Sequence, residues 1–146
     1  MSALYRRILL VVDLSEESLS VGRRAQALAA SLNAAVELLH VVEFVPVEPM
    51  GETLMPSVQI EEELLARARQ RLAALAATLG LADSACHVES GAVKAQIVRM
   101  ARERGADLIV LGSRERHGLS ILLNFTEDSV LHAAPCDVLA MRTGRT

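Results

Sequence analysis

The chain has 146 residues, of which 51% are hydrophobic and only 2% aromatic, and its formal net charge is −3. This length is most simply one domain over residues 1–146, and the composition predicts a core of Leu, Val, Ile and Ala. Acidic and basic residues alternate with no basic stripe, which argues against nucleic acid or an anionic membrane as a partner. No apolar run approaches the roughly 20 residues that cross a bilayer.

The cysteines and histidines carry little chemical signal. Cys86 and Cys136 lie far apart and form no C-x-x-C pair, and the first residues contain no apolar leader. These features predict a cytoplasmic, reducing compartment and two unpaired thiols. No histidine has metal-ligand spacing to another His or Cys, so we expect no metal site.

The first half of the chain alternates between strand and helix patterns. Arg7–Asp13 is an apolar run ended by an acid, which is typical of a strand buried on both faces. Capping residues at Ser15–Ser18 precede a predicted helix over Leu19–Leu32. A second strand is predicted over Val36–Val42. It leads into a proline-rich loop (Phe44–Val58), which we expect to be a lid, a partner surface or a plain connector.

The second half repeats the alternation. Its predicted elements are a helix over 58–79, a strand over 86–89, a helix over 92–104, a core strand over 107–111 that ends at Gly112, a helix from about Leu122 or Phe125 to His132, and a final strand over 137–142. Five strands alternating with four helices indicate an α/β fold, a parallel doubly wound sheet with right-handed crossovers and helices on both faces.

The fold predicts where a ligand would bind. In a doubly wound sheet, ligands bind beyond the carboxyl ends of the strands, where the strand order reverses. If the first and fourth strands are neighbours, that crevice lies between Asp13 and Gly112. Asp13 would then hold a ribose or a base edge, or it would serve the structure by accepting loop N–H groups.

Several familiar sites do not fit this crevice. No glycine follows the first strand, which excludes the dinucleotide fingerprint, and a Walker A loop is absent. A phosphoacceptor receiver domain would match Asp13, but Glu89-Ser90 and Arg142 fit its other positions poorly. Ser113 has no G-x-S-x-G elbow and no identifiable base. We therefore predict no catalytic residue and no enzyme, although slow ATPase activity stays open.

Four sequence blocks carry a resemblance to a known family. They are Val12-Asp13, Leu39-His40-Val41, the segment Ala106–Ser113 and the segment Ala134–Leu139. In order and spacing these blocks resemble the universal stress protein (UspA) family over essentially the whole chain. The resemblance implies a five-stranded α/β sandwich with strand order 3-2-1-4-5, a homodimer joined through the last strand, and a role in stress survival.

The resemblance also implies a nucleotide site. One branch of the family binds ATP or AMP through G-x2-G-x9-G-[ST] after the fourth strand, and the other branch lacks this motif. Here Gly112 matches the first glycine, Glu115 stands at the second, and Asn124 and Phe125, with Thr126 beside them, stand where the final Gly-[ST] is expected. With the residues that match the nucleoside end, the candidate ATP or AMP crevice comprises Asp13, Val41, Gly112, Ser113, Arg114, Asn124, Phe125 and Thr126.

The departures from the motif weaken a phosphate site. Glu115 puts a side chain and a negative charge where backbone N–H groups would meet phosphate. Two unit charges 4 Å apart repel by roughly 4 kcal/mol at an effective dielectric near 20. Phe125 cannot donate a hydrogen bond as a hydroxyl would. Arg114 and Arg116 flank Glu115, and they could bind phosphate or pair with Glu115 instead.

Two hypotheses follow. In the first, the protein takes no cofactor and is a non-catalytic stress-response homodimer with a degenerate nucleotide loop. In the second, the flanking arginines compensate and the protein is an ATP- or AMP-binding stress sensor. The expected dimer interface is the last strand, because an apolar parallel edge invites pairing. Its residues are Val138, Leu139, Ala140 and Met141.

Overall fold

The computed structural model of the protein describes residues 4–43, 57–114, 130 and 132–143, with residues 57, 58, 113 and 114 described by their backbone alone. Its elements, in chain order, are β1 (Arg7–Val11), α1 (Ser18–Leu32), β2 (Ala35–Val42), α2 (Ser57–Leu79), β3 (Cys86–Ser90), α3 (Val93–Arg104), β4 (Leu108–Arg114) and β5 (Asp137–Thr143). Residues 130, 132 and 133 are helical, and the rest of the helix predicted before β5 lies outside the described residues.

The strands form one parallel sheet in the order β3-β2-β1-β4-β5. β1 lies at the centre, with Val11 opposite Leu39 of β2 on one side and Leu111 of β4 on the other. The order reverses between β1 and β4, because β2 and β3 extend to one side and β4 and β5 to the other. The predicted doubly wound α/β fold is therefore confirmed.

Both faces of the sheet are covered, which explains the continuous apolar strands. Successive side chains of a strand point to opposite faces. Leu10 accordingly packs in a cluster with Leu72 of α2, whereas Leu9 packs with Ile97 of α3. Each of these four side chains is no more than 1% exposed. The central strands are thus fixed from both sides, and the loops at their carboxyl ends stand on a rigid base.

Two helix ends agree with the sequence-based expectation. Asn33 is the C-cap of α1 and Gly105 is the C-cap of α3, and both residues have a left-handed backbone, with φ of 55° and 65°. Their N–H groups reach back to carbonyls of the last helical turn. Asn and Gly are the residues that adopt this conformation at least cost, so the chain stops each helix by a local signal.

The end of β4 differs from the prediction. A turn was expected at Gly112-Ser113, but the strand continues to Arg114, where it lies opposite Thr143 of β5. Gly112 is not among the residues with positive φ. The reason is non-local: β5 itself runs to Thr143, and its backbone offers partners to the extended β4. The segment that resembled a phosphate-binding turn therefore begins as a strand.

Candidate functional site

A crevice of about 290 Å³ opens at the carboxyl ends of β1, β2 and β4, where the strand order reverses. Its inner wall is apolar, and its polar groups come from the β1–α1 loop, the start of α1 and the ends of β2 and β5. The described residues that line it are Val11, Val12, Asp13, Ser15, Glu17, Ser18, Val21, His40, Val41, Glu43, Val93, Ile97, Leu111, Gly112 and Thr143.

The Asp13 carboxylate organises the loop after β1. Its Oδ1 accepts the Ser15 N–H at 2.9 Å and the Ser18 hydroxyl at 3.2 Å. Partial burial raises the pKa of Asp13, but the hydrogen bonds from Ser15 and Ser18 lower it by more, so the pKa lies below its ordinary value. Asp13 is thus a fixed carboxylate on the lining of the crevice.

The start of α1 agrees with the prediction. A helix was expected from Leu19 after capping residues at Ser15–Ser18, and α1 begins at Ser18. Glu17 in the capping position makes no side-chain cap bond, whereas Asp13 accepts the Ser15 N–H in a local turn ahead of the helix. The structural interpretation of Asp13 therefore has direct contacts behind it.

Leu14 holds this loop in an unusual backbone conformation. Its φ is 61°, in the left-handed region that non-glycine residues rarely adopt. The Leu14 side chain is nevertheless 8% exposed and packs in the core, and its carbonyl accepts a hydrogen bond from the Arg71 guanidinium. Such a conformation costs on the order of 1–3 kcal/mol. The core and α2 together therefore fix the direction in which Asp13 points.

His40 is a crevice residue to which sequence reasoning gave no role. Its Nδ1 lies 2.8 Å from the Val12 carbonyl oxygen, and because a carbonyl only accepts, Nδ1 carries the proton and donates it. The half-buried ring thereby ties the end of β2 to the end of β1. In the sequence, the one indication of such a role is the position of His40 beside Val41, near the end of a predicted buried strand.

The structure brings together part of the predicted nucleotide site. Asp13, Val41 and Gly112 all line the crevice. Ser113 and Arg114 follow on β4, and their side chains are outside the described set. The remaining predicted residues, Asn124, Phe125 and Thr126, lie outside the described residues, as does Glu115.

The described charged residues of the crevice are all acidic. Three carboxylates, those of Asp13, Glu17 and Glu43, are among its described lining residues, and no lysine or arginine is. Such a lining favours hydrogen-bond donors and disfavours a polyanion. Within the described ranges, no group of three or more His, Cys, Asp or Glu is placed to hold a metal ion, and no helix is long and apolar enough to span a membrane.

A second ionic cluster lies at the opposite end of β2 and does not reach the crevice. The Glu37 carboxylate accepts hydrogen bonds from His87 Nε2 at 3.0 Å and from Arg104 Nε at 2.9 Å. The Glu37 side chain is 17% exposed. Burial raises its pKa, but Arg104 and His87 lower it by more. This cluster fastens α3 to the sheet.

β5 is one of the two outer strands of the sheet, as the dimer hypothesis requires, and β3 is the other. Leu139 is 37% exposed and Ala140 is also exposed, whereas Val138 is half-buried against the α3-side core. Met141 is 7% exposed and packs into the protomer's own core. Of the four predicted interface residues, Leu139 and Ala140 therefore present their side chains outward.

Comparison with known proteins gives consistent matches. The model of the universal stress protein family matches residues 4–142. Universal stress protein A homolog 1 of Coxiella burnetii is 39% identical over 138 residues, which cover 94% of this chain and 96% of that protein. A universal stress protein solved in complex with cAMP is 26% identical, with a TM-score of 0.61, and the match covers 98% of this chain and 100% of that one.

Some relatives are longer. A universal stress protein structure from Pseudomonas aeruginosa UCBPP-PA14 is 25% identical, with a TM-score of 0.69 over 94% of this chain. The match covers only 47% of that structure, so this chain spans about half of its length.

Proposed function

The chain belongs to the universal stress protein family, and we propose that it is a non-catalytic stress-response protein that binds an adenine nucleoside, rather than a nucleoside triphosphate, in the crevice between β1 and β4. The observation that carries this proposal is the pairing of an apolar wall with a fixed acceptor, the Asp13 carboxylate, in a described lining without a cation. A nucleoside matches both, because its base is flat and its ribose carries hydroxyl donors.

The size of the crevice supports a small ligand. Small-molecule pockets usually enclose roughly 300–1,000 Å³, and this crevice, at about 290 Å³, is at the lower end of that range. The related structure in complex with cAMP shows that a universal stress protein can hold an adenine nucleotide with a single phosphate. We take the base and ribose as the part of such a ligand that this chain recognises.

The phosphate end supports the proposed preference. Counted from Gly112, the motif spacing puts Glu115 and Phe125 at the second and third glycines and Thr126 at the final [ST] position, one residue beyond the expected Asn124-Phe125. Two of the three glycines of the nucleotide-binding branch are therefore replaced, and one hydroxyl residue is kept. In addition, Gly112–Arg114 pairs with β5, so part of its backbone is engaged in the sheet and is not free to surround a phosphate. A triphosphate would also meet the carboxylates of the lining without a described cation to neutralise it. We therefore expect no nucleotide hydrolysis.

The test is thermal unfolding of protein stripped of bound ligand, with millimolar adenosine, AMP or Mg·ATP. A ligand at 100 times its dissociation constant stabilises the folded state by about 2.7 kcal/mol, or roughly 5–10 °C at about 2–4 °C per kcal/mol. We expect adenosine to give the largest shift and ATP the smallest. A larger shift with ATP would support the sensor hypothesis, in which Arg114 and Arg116 compensate. No shift with any of them would contradict nucleoside binding.

A loop variant tests the phosphate end separately. Glu115→Gly combined with Phe125→Gly restores the two missing glycines beside Thr126, and we expect it to gain affinity for Mg·ATP relative to the parent while adenosine affinity stays within about threefold, well under one decade or 1.4 kcal/mol. If this double variant gains no ATP affinity, the loop is not what excludes the triphosphate.

We also propose that the protein acts as a homodimer in the cytoplasm, where its free Cys86 and Cys136 remain reduced. The supporting observation is that β5 is an outer parallel strand whose Leu139 side chain is 37% exposed. Pairing two such edges about a two-fold axis would cover both of them at once.

A further inference from the structure

We infer that His40 is a specificity-determining residue of the crevice, whose Nε2 accepts a hydrogen bond from a donor group of the bound nucleoside. The inference rests on the proposed nucleoside site and adds to it the kind of ligand group that the site recognises. His40 lines the crevice next to Val41, at the carboxyl end of β2.

The protein itself fixes the state of the ring. The Val12 N–H donates to the Leu39 carbonyl at 2.9 Å, and the Val12 carbonyl accepts from His40 Nδ1 at 2.8 Å. Turning the ring would therefore break the hydrogen bond between His40 of β2 and Val12, the residue that follows β1. With the proton on Nδ1, the neutral ring presents at Nε2 a lone pair that can only accept.

That lone pair has no protein partner in the part of the chain that the structure describes. The ring is half-buried, and a partly desolvated acceptor without a donor is unfavourable until a ligand supplies one. The Asp13 carboxylate offers a second acceptor in the same crevice. Both groups select for a ligand that carries N–H or O–H groups, as the exocyclic amine and the ribose hydroxyls of adenosine do.

The selection has a negative side. A ligand that places a carbonyl oxygen against Nε2 brings two acceptors together, and a site built to receive a donor discriminates strongly against an analogue that lacks it. If the exocyclic amine is the partner, inosine binds much more weakly than adenosine. If a ribose hydroxyl is the partner, inosine binds as well as adenosine and the corresponding deoxyadenosine does not.

The experiment pairs His40 variants with ligand analogues. In His40→Asn, the amide nitrogen can still donate to the Val12 carbonyl, but the Nε2 acceptor is gone. Dissociation constants are measured by calorimetry. The probes are adenosine, purine riboside, which lacks the amine, and the 2′- and 3′-deoxyadenosines. His40→Gln, which restores an acceptor near the Nε2 position, is the conservative control.

We expect His40→Asn to bind adenosine about three- to tenfold more weakly, the loss of one hydrogen bond, and His40→Gln to recover much of the affinity. One of the three analogues should bind the wild type and His40→Asn with equal affinity. It is the analogue that lacks the N–H or O–H group from which Nε2 accepts a hydrogen bond. Such coupling identifies the partner, and a purely structural role for His40 would not produce it.

Three outcomes overturn the inference. Equal adenosine affinity in the wild type and a folded His40→Asn would remove His40 from recognition while leaving the proposed function intact. An equal loss for every analogue would mean a general disturbance of the crevice. Failure of the wild type to bind any probe would overturn the proposed function and this inference together. If His40→Asn does not fold, His40→Met, which has similar length and no acceptor nitrogen, is measured against the same outcomes.

Discussion

Replacing Gly112 by alanine should separate binding from stability. The new methyl carbon would lie 3.4 Å from Val21 Cγ2 and 3.6 Å from Thr143 Cγ2, which are ordinary contact distances, and Gly112 is not in the left-handed region. The fold therefore accepts the change. Gly→Ala at a compatible site stabilises by about 0.4–1 kcal/mol through the unfolded chain, so we expect Tm to rise by about 1–4 °C.

The same methyl should obstruct the ligand. Val21 and Thr143 both line the crevice, so the added carbon lies among the crevice-lining groups. Forcing an extra methyl into a filled site costs about 1–3 kcal/mol, which corresponds to roughly 5- to 150-fold weaker adenosine binding. Calorimetric titration with adenosine measures this loss, and a thermal melt of the same sample measures the gain in stability.

The control for this variant is Gly22→Ala in α1. There the added carbon would lie 2.7 Å from Leu79 Cδ1, a collision within the α1–α2 packing and outside the crevice. Overpacking of about 1–3 kcal/mol opposes the gain in helix propensity of about 1 kcal/mol, so Tm should not rise and adenosine affinity should not change. If Gly112→Ala raises Tm and leaves adenosine affinity unchanged, the ligand does not contact this part of the crevice.

Two further predictions concern assembly and stability. Leu139→Lys on β5 should convert the homodimer to a monomer in analytical ultracentrifugation, whereas Leu64→Lys, at a similarly exposed position (36% against 37%) on α2, should leave it dimeric; a dimer in both variants would exclude β5 as the interface. Glu37→Gln should lower the free energy of unfolding by about 1–2 kcal/mol, as measured by chemical denaturation. The control is Glu103→Gln, which removes an exposed ion pair and should lower it by at most about 0.5 kcal/mol. Because the folded-state pKa of Glu37 is lowered, this stabilisation is present above the ordinary glutamate range near 4.3 and is lost as pH falls below it; an unfolding cost of Glu37→Gln that persists at lower pH would contradict this assignment.

The fold and part of the site could be predicted because their signals are local. Continuous apolar runs indicated strands covered on both faces, and Asn33 and Gly105 marked helix ends by their own conformational preference. The place of the crevice followed from the reversal of strand order, which predicts Asp13 and Gly112 on its rim.

The remaining features depend on contacts between distant parts of the chain. β4 extends to Arg114 because β5 runs alongside it, and nothing within β4 indicates this. His40 gains its role from a carbonyl 28 residues away, and the left-handed Leu14 is held by Arg71, 57 residues away. Such pairs have no periodicity or motif that a single sequence could display.

The most direct test of the nucleoside site is an adenosine titration followed in amide correlation NMR spectra of the labelled protein. We predict that the resonances that move first and furthest belong to the crevice, with Asp13, Val41 and Gly112 among them, while the outward face of α2 around Arg69 stays unchanged. Mg·ATP at the same concentration should move them less. Adenosine shifts that cluster elsewhere, or no shifts at all, would contradict the assignment of this crevice as a nucleoside site.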